Sequence, residues 1–146
     1  MNPNTILLVE DNPDDELLTL RAFERGGIAN PIVVVRDGIE ALDYLFARGA
    51  FAGRTAGAPL LVLLDLKLPR LGGLEVLRAV RADPVCGTVL VLVLTSSRDD
   101  SDIARAYELG ANGYVQKPVE FDDFVRVTRA IGTYWLMTNV PPQVGP

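Results

Sequence analysis

The sequence predicts an α/β fold: a five-stranded parallel sheet with helices on both faces. Two observations carry this. Short runs rich in Val, Leu and Ile alternate with longer amphipathic stretches five times along the chain, as repeated strand–helix units with right-handed crossovers do. The runs also lack the polar alternation of a half-solvated sheet, so both faces of the strands are expected to be covered.

Taken in order, Thr5 to Val9 is the first strand. Asn12-Pro13 supplies a capping side chain and a proline where a helix can begin. Asp14 to Arg25 is then helical until Gly26-Gly27 stops it. Pro31 to Arg36 is the second strand, and Gly38 to Arg48 the second helix, with Ile39, Leu42 and Leu45 or Phe46 on one stripe. Residues 49 to 58, small and glycine-rich, read as a loop. Leu60 to Leu64 is the third strand. Past Pro69 and the Gly72-Gly73 turn, Leu74 to Ala82 is the third helix. Val89 to Leu94 forms the fourth strand, and a helix opening at Asp99 or Ser101 ends at Leu109-Gly110. Gly113 to Gln116 is a short fifth strand, and Val119 to about Met137 is the last helix. No repeat or linker divides the chain, so a single domain is expected over residues 1–146. Its core is expected over about 4–136, with a C-terminal extension over about 137–146 and no output domain attached.

Composition removes whole classes of function. The net charge is −5, and the acids crowd into residues 10 to 16 with no matching basic cluster, which argues against a nucleic-acid partner. The apolar runs are too short to span a membrane and nothing resembles a signal peptide, so a cytoplasmic location without membrane contact is expected. The single cysteine, Cys86, excludes an internal disulfide and suits a reducing compartment. The chain has no histidine. That removes Ser-His-Asp and Cys-His nucleophile pairs and His-ligated zinc, and any histidine chemistry must come from a partner.

Four polar positions each follow an apolar run: Glu10 and Asp11, Asp65, Thr95, and Lys117. In an open parallel sheet the carboxyl ends of the strands line one edge, where sites form at a switch in strand order. Three carboxylates, a hydroxyl and an ammonium would meet there although their positions span most of the chain. Each acid alone reads equally well as a helix cap. Jointly they repel one another and raise each other's pKa, and a few carboxylates plus water and phosphate oxygens suit Mg²⁺. A carboxylate beside such an ion can act as a nucleophile toward a phosphoryl group. Lys117 would offset the acids and hold a phosphate oxygen as a compact cation. Its bond to Pro118 is a candidate for a cis peptide that would aim the lysine inward. No G-x-G-x-x-G or Walker-type loop supports a nucleotide site.

At these residues the chain resembles the receiver domain of bacterial two-component response regulators, which has a flavodoxin-like (βα)5 fold. The resemblance spans residues 4 to 136 and rests on four segments: Ile6-Leu-Leu-Val-Glu-Asp-Asn12, Leu63-Leu-Asp-Leu-Lys-Leu-Pro69, Val93-Leu-Thr-Ser96 and Gly110-Ala-Asn-Gly-Tyr-Val-Gln-Lys-Pro118. It implies that Asp65 is phosphorylated by a histidine kinase, with Mg²⁺ held by Asp11, Asp65 and the backbone carbonyl of Lys67, and Glu10 assisting through water. It implies too that Thr95 and Lys117 hold the phosphoryl group and that Tyr114 is an aromatic switch. Independently, a ring three residues before Lys117 could fill volume that Thr95 vacates on moving to a phosphoryl oxygen. Such a protein is a signalling phosphoacceptor rather than an enzyme acting on other substrates. It would signal through the face made by the fourth helix, fifth strand and last helix.

A narrower resemblance is to single-domain regulators partnered with phytochrome-type histidine kinases. It rests on Val9-Glu-Asp-Asn-Pro-Asp-Asp-Glu16, Thr133-Tyr-Trp-Leu136 and Val140-Pro-Pro142, and it implies a homodimer through the last helix and the C-terminal extension. The last helix is also more apolar than one buried stripe requires, with Phe121, Phe124, Tyr134 and Trp135 as candidate interface anchors. Glu10 replaces the commoner aspartate, and Lys67 puts a second cation at the site mouth. The competing readings are a pseudo-receiver that docks or dimerises without phosphoryl turnover, an aspartyl-nucleophile phosphatase and a flavin carrier. Intact Asp65, Thr95 and Lys117 argue against the first. The phosphatase would need an aspartate where Lys67 stands, and an acidic cluster after the first strand would repel a flavin phosphate.

Overall fold

The computed structural model describes residues 4–55 and 57–142. Five strands, β1 (Ile6–Val9), β2 (Ile32–Val35), β3 (Leu61–Leu64), β4 (Leu90–Thr95) and β5 (Gly113–Gln116), form one sheet in the order β2-β1-β3-β4-β5. Every pairing is parallel, with Val9 level with Val35 on one side and Leu64 on the other, and Leu64 level with Val93. The chain leaves β1 toward β2 and returns on the opposite side to β3. The strand order therefore switches at β1 and β3, where a crevice opens beyond their carboxyl ends.

Alternate strand residues feed opposite layers. Leu7, Val9, Val62, Leu64 and Val91 pack with α2 (Gly38–Leu45) and α3 (Gly73–Ala82). Ile6, Leu8, Leu61, Leu63 and Leu92 pack with α1 (Pro13–Arg25) and α5 (Phe121–Ile131). A smaller group of Leu66, Val93 and Ala106 seats α4 (Asp100–Glu108). The central strands β1 and β3 are buried along their whole length, as uniformly apolar runs require.

Local chemistry sets the helix ends. The Asn12 side chain accepts from the N–H groups of Asp14 and Asp15 at 2.9 and 3.1 Å, with Pro13 at the first helical position. α2 ends at Leu45, short of the expected Arg48, because Ala47 takes a positive φ of 53° that breaks the turn. The last helix begins at Phe121 rather than Val119, since Glu120 is extended. From Gly132 to Thr138 it widens into a π-helical turn in which the Asn139 N–H reaches Tyr134 O. Among its described residues, the expected loop at 49–58 contains one 3₁₀ turn, at Gly49–Phe51. Residues 143–146 of the expected C-terminal extension lie outside the described residues.

Candidate functional site: a carboxylate–lysine cluster at the sheet edge

The sheet delivers the predicted residues to one place. Glu10 continues β1, its N–H bonded to Val35 O at 3.0 Å, and it is 1 % exposed. Asp65 follows β3, with its N–H on Val9 O at 3.1 Å. Thr95 ends β4, and the Lys117 N–H bonds Thr95 O at 2.8 Å, which carries the lysine in from β5. No described residue is preceded by a cis peptide, so the expected cis Lys117-Pro118 bond is absent. Strand register alone aims the lysine.

Asp65 sits at the centre. Its Oδ1 accepts from the Thr95 hydroxyl at 2.8 Å and from the Lys67 N–H at 3.3 Å, and its Oδ2 accepts from Lys117 Nζ at 3.0 Å. The Lys117 ammonium also donates to Glu10 Oε1 and to Asp15 Oδ2 at 3.1 Å. An ammonium has three donors, and here each has its own carboxylate. Burial by itself would lower the Lys117 pKa, but the hydrogen bond to Glu10 and the charge of Asp65 outweigh it and hold the lysine charged. Burial drives the Glu10 carboxyl up to about 7 against the pull of Lys117.

Asp15 was not among the predicted site residues. It lies in the first turn of α1, and the signal available in sequence was the density of acids just after the first strand. Asp11 is exposed at the rim. Oxygens of Glu10, Asp11 and Asp65 all lie within 4.8 Å of one another, a hard-oxygen set suited to a divalent cation. The Lys67 side chain is exposed.

Tyr114 is half-buried against the α4 cluster, and its hydroxyl donates to Ser97 O at 3.1 Å rather than facing water. Of the four expected interface residues, Phe124 requires correction. It is 1 % exposed and packs with Ala22 and Leu94, because its position on α5 faces α1 and β4. Phe121 is partly buried beside it, with the Arg25 guanidinium 5.9 Å from its ring centre. Trp135 is partly committed to the core, with Tyr134 edge-on at 4.9 Å. Tyr134, Met137 and Val140 are the exposed apolar groups of this end, at 51, 82 and 89 %.

Residues 6–129 match the response regulator receiver domain family model. The chain belongs to that family. It is 43 % identical over 97 % of its length to a probable methanogenesis regulatory protein, FilR2, of Methanothrix harundinacea, and covers 89 % of that protein. Response regulator Rcp1 of Synechocystis sp. is 34 % identical, with 96 % of this chain and 94 % of Rcp1 aligned. The Mn²⁺-bound Rcp1 structure superposes with a TM-score of 0.86 over 96 % of this chain and 99 % of that one. The phosphorylated cyanobacterial phytochrome response regulator RcpA superposes with a TM-score of 0.88 at 35 % identity, over 97 % of this chain and all of its own. The Rcp1 structure is the Mn²⁺-bound form of that protein, and here the carboxylates of Glu10, Asp11 and Asp65 form a group that could hold a metal ion. Among the described residues, no helix is long and apolar enough to cross a membrane.

Proposed function

We propose that this chain is a single-domain response regulator whose Asp65 takes a phosphoryl group from a phytochrome-type histidine kinase. The observation that carries the reading is the Asp65 carboxylate held between the Thr95 hydroxyl and the Lys117 ammonium, beside two more carboxylates. A carboxylate oxygen of Asp65 attacks phosphorus, the P–N bond of the partner's phosphohistidine breaks, and the imidazole nitrogen leaves with the bonding pair. Because this chain has no histidine, the donor must be the partner. Mg²⁺, held by Asp11, Asp65 and the Lys67 carbonyl with Glu10 assisting, would neutralise charge on the phosphoryl oxygens. Lys117 exchanges part of its carboxylate shell for a phosphoryl oxygen. The Thr95 hydroxyl, already directed at Asp65, turns to another, and Tyr114 follows it inward.

The readout is a protein contact on the face of α4, β5 and α5, biased by the added charge. A module that docked without turnover would have no use for Thr95 and Lys117 on the acceptor. The exposed apolar groups that follow α5, Tyr134, Met137 and Val140, support a homodimer through the last helix and its extension. The test is radiolabel transfer from an autophosphorylated phytochrome-type histidine kinase to the wild type and to Asp65→Asn. Label on the wild type alone is expected. Label retained by the kinase, or label on both proteins, would contradict the reading.

A further inference from the structure

The first turn of α1 carries three acids, Asp14, Asp15 and Glu16, which the positive end of the helix dipole alone would favour. They part ways. Asp14 is exposed, and Glu16 pairs with Arg36 at 3.0 Å. Asp15 turns inward, and its Oδ2 accepts from Lys117 Nζ at 3.1 Å. Ion pairs at a rim usually contribute little, but this one has a buried end: the Lys117 side chain is only 7 % exposed. Asn12 organises this side of the cluster. Its N–H donates to Glu10 Oε2 at 3.3 Å, and its side chain accepts the Asp15 N–H at 3.1 Å. One capping residue thus ties together the two carboxylates, Glu10 and Asp15, that flank the ammonium.

We propose that Asp15 is a positioning residue that acts through Lys117, aiming one N–H of its ammonium at the phosphoacceptor oxygen. The inference rests on the reading that Lys117 holds a phosphoryl oxygen on Asp65. A lysine stem is flexible and its three donors rotate freely. In a tetrahedral ammonium, fixing two N–H bonds fixes the direction of the third. Glu10 takes one and Asp15 takes the second, so the third is directed at Asp65, whose Oδ2 lies at 3.0 Å. The same two anchors aim it whether it meets that oxygen or a phosphoryl oxygen bound there. Without Asp15 the ammonium keeps one anchor and turns about its bond to Glu10. What Asp15 supplies is an acceptor in the right place. Its charge works the other way, since an anion beside the site repels an incoming phosphoryl group.

The test is the rate of phosphorylation by acetyl phosphate, with Mg²⁺ saturating for each protein, followed by intact mass. The proteins are the wild type, Asp15→Ala, Asp15→Asn and Asp14→Ala, with thermal melts showing all four folded. Asp15→Asn keeps an oxygen acceptor and drops the charge, whereas Asp14→Ala drops a charge from the same turn and leaves Lys117 untouched. Asp15→Ala should lose about tenfold in rate, short of the ~10²-fold that a 1 Å misplacement can cost, because Glu10 still anchors the ammonium. Asp15→Asn should stay within about twofold of the wild type, since a neutral acceptor still holds the N–H, and Asp14→Ala should match it. In ¹H–¹⁵N spectra the Lys117 ammonium signal should be present in the wild type and Asp15→Asn and broadened away in Asp15→Ala. An Asp15→Ala rate equal to or above the wild type, or an Asp15→Asn loss as deep as that of Asp15→Ala, would overturn the proposal while leaving Asp65 as the acceptor. No adduct on the wild type would overturn the underlying reading and the proposal with it.

Discussion

Two loops border the carboxylate cluster, one after β3 and one after β4, and they are held by different physics. The loop after β3 is clamped by charge and by backbone contact. Arg70, with a positive φ of 63°, grips Asp37 with two hydrogen bonds at 3.0 and 3.1 Å. Asp37 in turn caps α2 through the Glu40 N–H at 2.8 Å. A Cβ at Gly38 would meet Leu71 O at 2.0 Å, and one at Gly73 would meet Asp65 O at 2.3 Å, so backbones touch where any side chain would intrude. The loop after β4 is held by hydroxyls, through Thr95, Ser97 and Tyr114. The first two end on carboxylates and the third on a backbone carbonyl; single bonds of this kind contribute about 1–3 kcal/mol each, small enough to exchange when a phosphoryl group offers new acceptors. The contrast separates a fixed wall, which positions Asp65 and the Lys67 backbone, from a movable one that can report.

The sharpest test of this division lies between the two loops. Lys117→Ala strips the shared cation from three carboxylates, two of them buried, and should cost about 3–5 kcal/mol in urea unfolding. A loss below 1 kcal/mol would mean that the cluster is not electrostatically coupled. Gly73→Ala on the fixed wall forces a Cβ into the Asp65 carbonyl, and overpacking of this kind costs about 1–3 kcal/mol. It should also slow phosphorylation of the still-folded protein, because the displaced carbonyl belongs to the acceptor residue. A kinetically silent Gly73→Ala would break the comparison.

Asp37→Ala should lose about 1 kcal/mol through the missing cap; the exposed Arg70 pair adds little. This contribution depends on pH in a defined direction. Burial works to raise the Asp37 pKa, but the Arg70 hydrogen bonds and the backbone N–H groups prevail and lower it. The stabilisation is therefore present above the unfolded carboxylate range, near pH 4, and fades as pH falls through the folded value. The stability difference between wild type and Asp37→Ala should shrink below pH 4. A difference that grew there would reverse the assignment. Smallest is Tyr114→Phe, about 0.5 kcal/mol for one half-buried hydroxyl bond. A loss as large as that of Lys117→Ala would place the β4 side on the fixed wall as well.

These devices differ in how far the sequence discloses them. The apolar runs locate all five strands to within a residue or two, and strand ends sharing one edge suffice to gather Glu10, Asp65, Thr95 and Lys117. What periodicity cannot supply is which helix turn docks against that edge. Asp15 meets Lys117 only because the first turn of α1 lies over the crevice, and Ser97 finds Asp102 only through the path of its loop. Phe124 shows the same limit in reverse. An apolar stripe wider than needed signals surplus, but not which residues are the surplus ones, and here Tyr134 and Met137 are left outside while Phe124 goes in. The π-helical widening after Ile131 has no marker in sequence beyond Gly132, where a Cβ would stand 3.2 Å from Ile28 Cγ1.

The account stands or falls on Asp65 as the phosphoacceptor. Intact-mass analysis after incubation with acetyl phosphate, with and without Mg²⁺, tests it on the wild type and on Asp65→Asn. A single phosphoryl adduct on the wild type that requires Mg²⁺ and is absent from Asp65→Asn is the predicted result. No adduct on the wild type under either condition, or an equal adduct on Asp65→Asn, would contradict it.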